Sequence, residues 1–381
     1  MKRACRCCSG QVTDRPILHY KNMPKAAQFF PTKDELAMEM GVELALYQCP
    51  KCGLIQLLDD PVPYYRDVIR TAGISGELRE YREEFFRDFV ETYGLKGKKV
   101  IEIGCGCGEF LSIMNTTGAI GCGLEHREES IAECRKKGLT VYQGFLEDGD
   151  TRLEGAPYDA FFIMNFLEHI PNPGEFLTGI CRNLSEGAVG LVEVPNVDMV
   201  LKKMMFSEFI SDHLMYFTKK SLGNLLELNG FEVLSCQSVW HDYVLSAVVR
   251  KREPIHLESF QEQLLKIKRE INQFMDLHTA HGQKVAAWGA GHQALAVLAL
   301  TEVQEKIAFV VDSAPFKQDK YTPGTHIPIV SPEYLEQKQP EVSAVLIMAA
   351  SYSDEVAGIV KKKYRDMAIG ILRDDGIEVI E

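Results

Sequence analysis

Residues 100–111 read VIEIGCGCGEFL, an apolar run that carries Glu102 near its end and continues into Gly104, Gly106 and Gly108 in GxGxG order. Glycine at such positions lets the backbone turn sharply and approach a ligand, where a Cβ would obstruct both. A glycine loop closing a strand opens a nucleotide-binding α/β sheet, and the runs that follow extend that reading. The next, IGCGLE, ends on Glu125, an acid suited to accept both hydroxyls of a ribose. A third, LTVYQG, closes at Gly144 and Phe145, where an adenine can stack and hydrogen-bond. A fourth, YDAFFIMN, runs into MNFLEHIPNP, which carries Asn165, Glu168 and His169.

Outward from this core, β-rich runs alternate with helical segments from Lys99 to near Arg250, the pattern of a parallel sheet with crossover helices. GAVGLVEV, FEVLSCQSV and VLSAVVR bring the expected strands of this doubly wound domain to seven. Ahead of them, SGELREYREEFFRDFVETYGL sets Leu78, Tyr81, Phe85, Phe89 and Val90 at helical spacing, and the charges on its other face are expected to be solvated. Tyr64, Tyr65 and Arg70 precede that helix, as buried structure or as cover for a site. After a helical linker at 255–282, a second α/β unit begins at KVAAWGAG and continues through AFVVD, HIPIV, AVLIMAA and AIGIL. Its loop, AAWGAGHQALA, sets Gly289, Gly291 and Ala294 in GxGxxA order, with Asp312 downstream. Alone, that fingerprint suits a nicotinamide dinucleotide. Its helix N-terminus, with His292 beside it, equally suits a diphosphate.

The length of 381 residues points to two or three domains, and 42 basic against 54 acidic residues leave a net charge of −12. That balance disfavours nucleic acid or an anionic membrane as a general partner. The start, MKRACRCC, lacks the apolar core of a secretion signal, and no stretch approaches the roughly 18 apolar residues of a membrane helix, so a cytoplasmic protein is expected. In a reducing compartment the 11 cysteines are better read as metal ligands than as disulfides. Cys5 with Cys8 and Cys49 with Cys52 form two CxxC knuckles, the spacing of a structural zinc with four thiolates and no open position; Cys7 is a rival ligand. The segment around them is short and poor in apolar periodicity, so zinc is expected to be its main source of order. Cys105 and Cys107 read as small loop residues, and Met199, Met204, Met205 and Met215 as core fillers.

The glycine loop, the acid at the second strand end and the LEH segment after the fourth strand resemble class I S-adenosylmethionine (SAM) methyltransferases. The wider arrangement adds the cysteine knuckles, VEVPN at 192–196 and the C-terminal phrases YTPGTHIPIVSP and SYSDEV. Together these are similar to the zinc-containing C-methyltransferases that act on nucleotide-linked deoxy-ketosugars. The resemblance implies an α/β chain of three modules: a zinc-binding ribbon at 1–74, a class I SAM methyltransferase Rossmann-like domain at 75–252, and a C-terminal Rossmann-like domain at 253–381. It implies Glu102 and the glycine loop at the methionine moiety, Glu125 at the ribose, and Asn165, Glu168 and His169 on the floor of the methyl-transfer pocket.

That family supplies its base from a segment resembling Tyr-His-Glu-His-Leu-x-Tyr-Phe. The corresponding ISDHLMYF, residues 210–217, keeps His213, Leu214, Tyr216 and Phe217 but has Ile210, Ser211 and Asp212 at the first three positions. Carbon becomes nucleophilic only when a proton beside a carbonyl is removed, and an imidazole with an ordinary pKa near 6.5 can remove it at neutral pH. His213 is therefore the expected base, and Asp212 either orients an imidazole or caps a turn. Tyr65, Tyr216 and His169 are candidate donors to the enolate oxygen. The resemblance makes the C-terminal unit a wall of the sugar-nucleotide site without a redox cofactor, with Gly289, Gly291, His292 and Tyr321 as substrate-binding candidates. The expected partner is a small molecule, the expected state a monomer, and O- or N-methylation of a related sugar is the alternative reaction.

Overall fold

Near-continuous apolar runs are strands covered on both faces, and the runs around Ile101, Phe161 and Val192 lie at the centre of one sheet. The computed structural model describes residues 4–28, 30–67, 74–279, 282–338, 341–364 and 366–380. Arg70 lies outside the described residues. Two units are distinguished, Met1–Glu253 and Pro254–Glu381.

The first unit opens with strands β1 (Leu18–Met23), β2 (Val42–Gln48) and β3 (Ile55–Gln56), followed by helix α1 (Gly76–Thr92). The Rossmann-like core then runs β4 (Lys99–Ile103), α2 (Glu109–Thr116), β5 (Ile120–Glu125), α3 (Glu128–Lys136), β6 (Val141–Gln143), β7 (Tyr158–Met164), α4 (Pro173–Arg182) and β8 (Leu184–Pro195). Helix α5 (Val197–Lys202), β9 (Met215–Tyr216), α6 (Lys219–Leu228), β10 (Phe231–Val239) and β11 (Val244–Lys251) complete it. The large sheet has the order β10-β11-β8-β7-β4-β5-β6. Strands β4 to β8 pair in parallel, and β11 is antiparallel to both β8 and β10. The order reverses at β4, so its carboxyl end, where the GxGxG loop begins, is a switch point at which α/β sheets bind ligands.

The N-terminal module departs from expectation. It forms a four-stranded sheet, β1-β2-β3-β9, whose last strand comes from the ISDHLMYF segment more than 150 residues further along the chain. Its apolar residues Leu44, Leu46, Ile55 and Leu57 share a core with Val197, Met199, Val200, Phe209 and Tyr216. The segment shares an apolar core with the methyltransferase-like domain, a source of order beside any bound metal. Helix α1 also differs. Its buried stripe is Arg82, Phe86, Phe89 and Val90, and Arg82 is 2% exposed. The guanidinium makes a bidentate pair with Glu193 on β8, at 2.6 and 2.5 Å. A charged residue on what reads as a wet face is thus buried, because its partner is two-pronged and equally buried.

The second unit begins with helix α7 (Glu258–His278) and continues as β12 (Lys284–Trp288), α8 (His292–Thr301), β13 (Ile307–Val311), β14 (Lys320–Tyr321) and β15 (Pro328–Val330). It ends with α9 (Pro332–Gln337), β16 (Val342–Ile347), α10 (Ser353–Lys363), β17 (Ala368–Leu372) and β18 (Ile377–Ile380). The order β14-β15-β13-β12-β16-β17-β18 reverses at β12, again where a glycine loop leaves the sheet. The short antiparallel edges β14 and β18 carry no signal in the sequence pattern. No described helix is long and apolar enough to cross a membrane.

Candidate functional site

The loop after β4 is shaped by what faces it. Gly104 has φ +74°, and a Cβ there would come within 2.8 Å of the Phe166 ring, so only glycine fits. At the end of β5, the Glu125 carboxylate accepts the Gly106 N–H at 2.9 Å and the Arg127 N–H at 2.9 Å, which ties the loop to the strand. The Gly144 N–H donates to the Glu125 carbonyl at 2.9 Å, bringing the β6 end alongside. Glu125, Gly144, Phe145, Phe166 and Phe176 line a recess together with Arg66. Phe145 packs edge-on against Tyr65 at 5.9 Å and Phe166 at 6.3 Å, and the Arg66 guanidinium lies 5.3 Å from its ring centre. Asn165, at the β7 end, has φ +53°, and its Oδ1 is buried without a hydrogen-bond partner. Glu102 is fully buried in β4. A strand-end acid, an aromatic wall and an orphaned amide oxygen fit the ribose, adenine and ammonium groups of SAM.

Two residues beyond Asn165, the turn Leu167–His169 brings up the second part of the site. Residues 210–217 are held against it by main-chain bonds, Leu214 N–H to the Glu168 carbonyl and Leu57 N–H to the Leu214 carbonyl, both 2.9 Å. The His169 and His213 rings meet edge to face at 4.7 Å. His169 Nδ1 lies 2.8 Å from the Asp212 carbonyl, which can only accept, so Nδ1 carries the proton and Nε2 offers a lone pair. That Nε2 is 3.8 Å from Glu168 Oε1. Burial pushes His169 down to about 4 and Glu168 up to about 8. Burial, with His169 adding to it, also holds His213 well below its ordinary value. Near neutral pH all three groups are uncharged.

Asp212, 3% exposed, does not orient an imidazole with its side chain. Its carboxylate accepts the Tyr64 hydroxyl at 2.7 Å and the Ala27 N–H at 2.8 Å, and only its carbonyl touches His169. Burial beside Asp212 pushes Tyr64 up to about 12, which keeps it a donor. The Tyr216 hydroxyl donates to the Ile210 carbonyl and accepts the Ile210 N–H, both at 2.8 Å, closing the loop that precedes it. Tyr65 stands apart from the histidines, accepting Arg66 Nε at 3.1 Å beside Phe145. His213, His169, Glu168, Asp212 and Tyr216 are thus brought together, with Tyr65 on the Phe145 side. Tyr64 is the member of the tyrosine pair that reaches the histidine segment.

The sulfurs of Cys5, Cys8, Cys49 and Cys52 all lie within 4.8 Å of one another, with Cys5 and Cys52 at 3.5 Å and Cys8 and Cys49 at 3.6 Å. Four thiolates about 2.3 Å from one zinc would stand roughly 3.8 Å apart, so the cage fits a tetrahedral ion. Cys7 is buried beside them, its N–H donating to Cys5 Sγ at 3.4 Å. Asn224 on α6 donates to the Cys52 carbonyl at 3.1 Å, tying the second knuckle to the large domain.

In the second unit, Gly289 has φ +111°, and a Cβ there would strike the Met348 carbonyl at 2.7 Å. Gly291 caps α8 and His292 opens it, exposed. The Asp312 carboxylate accepts the N–H groups of Ala290 and Ala314 at 2.8 and 2.9 Å, and Lys317 Nζ at 2.9 Å. Tyr321 is 66% exposed on β14, and Trp288 is core.

Residues 78–236 match a family described as a methyltransferase domain, and residues 249–368 one described as the C-methyltransferase C-terminal domain. The chain is 24% identical over 383 residues to the C-methyltransferase NovU of Streptomyces niveus, across 92% of this chain and 90% of that one. A shorter stretch of 103 residues is 32% identical to a ubiquinone biosynthesis O-methyltransferase of Vibrio atlanticus, across 26% of this chain and 43% of that one. Among solved structures, a SAM-dependent methyltransferase from Clostridium acetobutylicum superposes with TM-score 0.40 at 10% identity, over 46% of this chain and 92% of that one.

Proposed function

We propose that the protein is a SAM-dependent C-methyltransferase that acts on a ring carbon of a nucleotide-linked keto-deoxysugar, a reading supported by both family matches and the likeness to NovU. His213 takes the proton beside the keto group, and the enolate carbon then attacks in line. SAM supplies the electrophilic methyl. Glu125 holds the ribose, Phe145 and Gly144 the adenine, and Asn165 with Glu102 and the Gly104–Gly106–Gly108 loop the methionine end. The imidazolium formed at His213 is balanced by the enolate charge in a water-poor site. Tyr216 and His169 have given their protons to the main chain of the base segment, so both position it. The observation that carries this reading is the edge-to-face contact of the His169 and His213 rings at 4.7 Å, with His169 four residues along the chain from the orphaned Asn165 oxygen. The loop of the second unit, with Gly289, Gly291, His292 and Tyr321, is read as holding the nucleotide diphosphate. Zinc is read as a structural ion in the thiolate cage, and the enzyme as a cytoplasmic monomer acting on small molecules.

Transfer to oxygen is the second reading, favoured by the part-chain likeness to O-methyltransferases and by Ile210 and Ser211 at the start of the base segment. There His213 deprotonates a hydroxyl, or an ammonium for transfer to nitrogen. Deuteromethyl-labelled SAM with a panel of nucleotide sugars, with and without keto groups, separates the readings by fragment mass spectrometry. The label is expected on a ring carbon of a keto sugar. Label on oxygen or nitrogen discards the enolate and leaves the SAM domain intact.

A further inference from the structure

Glu168, His169 and His213 converge in a way that transfer of a methyl group does not require. One carboxylate oxygen and one nitrogen from each ring all lie within 4.8 Å of one another. We propose that these three residues form a second metal site, for one divalent ion of the zinc and cobalt class, separate from the thiolate cage.

Two imidazoles and a carboxylate are a donor set for borderline divalent ions, and three protein ligands leave positions for water or a substrate oxygen. His169 is already arranged as a ligand: its Nδ1–H is held by the Asp212 carbonyl, the outer bond that aims Nε2 at an ion. Glu168 is 1% exposed and its Oε2 is buried without a hydrogen-bond partner. A buried oxygen left without a donor carries a desolvation cost that a bound ion would remove. Ligands about 2.1 Å from one ion stand roughly 3.0–3.4 Å apart, so donor atoms within 4.8 Å of one another need to close by up to about 1.8 Å. His213, the only partly exposed member, has the freedom to do so. Because the ion takes the His213 lone pair, metal binding and proton abstraction exclude each other. That consequence, unlike the site itself, rests on His213 being the base.

The test is a cobalt titration of the full chain already loaded with one equivalent of zinc, followed by visible absorption and by turnover. One equivalent of cobalt is expected to bind beside the zinc, with d–d bands and no thiolate charge-transfer band. Its affinity should fall about tenfold or more in both Glu168→Gln and His169→Gln proteins that retain their zinc. No cobalt bound beside the zinc, a thiolate band, or unchanged affinity in both variants would overturn the proposal. Turnover is expected to fall as the site fills and to return on mild chelation. Cobalt bound at the triad with turnover undiminished would leave the site standing and remove His213 as the base.

Discussion

The chain presents the same device twice, a glycine loop leaving a parallel sheet at the strand where its order reverses, and the two copies are finished differently. At Gly104 the forbidden Cβ would meet the ring of Phe166, which is the wall of a recess; at Gly289 it would meet the Met348 carbonyl, which belongs to the neighbouring chain segment. The acid after the second strand also differs. Glu125 is held by two main-chain N–H groups beside that recess, whereas Asp312 accepts two N–H groups and a lysine ammonium. A glycine fingerprint therefore reports how the backbone must run, and what faces the loop, an aromatic recess in one copy and a main-chain carbonyl in the other, is where the two copies part.

The strongest way to break this contrast is at the chemistry. His213→Ala should lower turnover by roughly 10²–10⁴-fold while SAM affinity, measured by calorimetry, stays about where it was. A parallel loss of SAM affinity would mean that the histidine segment and the cofactor recess are not separable. Next in size, Glu125→Ala should weaken SAM by about 2–3 kcal/mol through the loss of charged hydrogen bonds. Asp312→Ala should leave SAM affinity unchanged and lower the stability of the second unit by about 1–3 kcal/mol. Equal effects of the two substitutions on SAM affinity would erase the distinction between the loops.

Acid titration sharpens the comparison further. His169 sits at about 4 in the folded chain against 6.5 unfolded, so between these values the unfolded chain binds a proton that the folded one refuses. Stability of the first unit should thus fall as pH drops from about 6.5 to 4, by about 3 kcal/mol for this residue. Glu168 works with the opposite sign, binding a proton in the folded chain between 4.5 and about 8, so it lowers stability as pH rises through that window. Hydrogen exchange should show the second unit less affected over pH 4–6.5, and His169→Gln should flatten the acid-side slope. An unchanged slope would remove His169 as its source. The smallest effect is at Tyr64→Phe, which leaves Asp212 Oδ1 without its donor and should cost about 1–2 kcal/mol of stability and a few-fold in turnover. No change in either would make the Tyr64 bond incidental.

Much of the fold was legible because buried parallel strands are apolar without interruption: the runs through Ile101, Phe161, Val285 and Leu346 announce both sheets. The glycine loops and the LEH turn were legible as local chemistry. What escaped depends on long-range pairing. Nothing local marks Met215–Tyr216 as the partner of Ile55–Gln56, since two residues are too few to display a period. Arg82 read as solvated because periodicity registers polarity and not the presence of Glu193 far along the chain. Tyr64 and Tyr65 are neighbours in sequence with opposite surroundings, and only the fold separates the one bonded to Asp212 from the one against Phe145.

The strand Met215–Tyr216 follows His213 by two residues and completes the sheet whose other strands flank the Cys49–Cys52 knuckle. The cysteine cage is for that reason no detachable appendage: it is the footing on which His213 stands. Treating the purified protein with a chelator should register first as slower turnover with a normal SAM affinity, and only later as a melted fold.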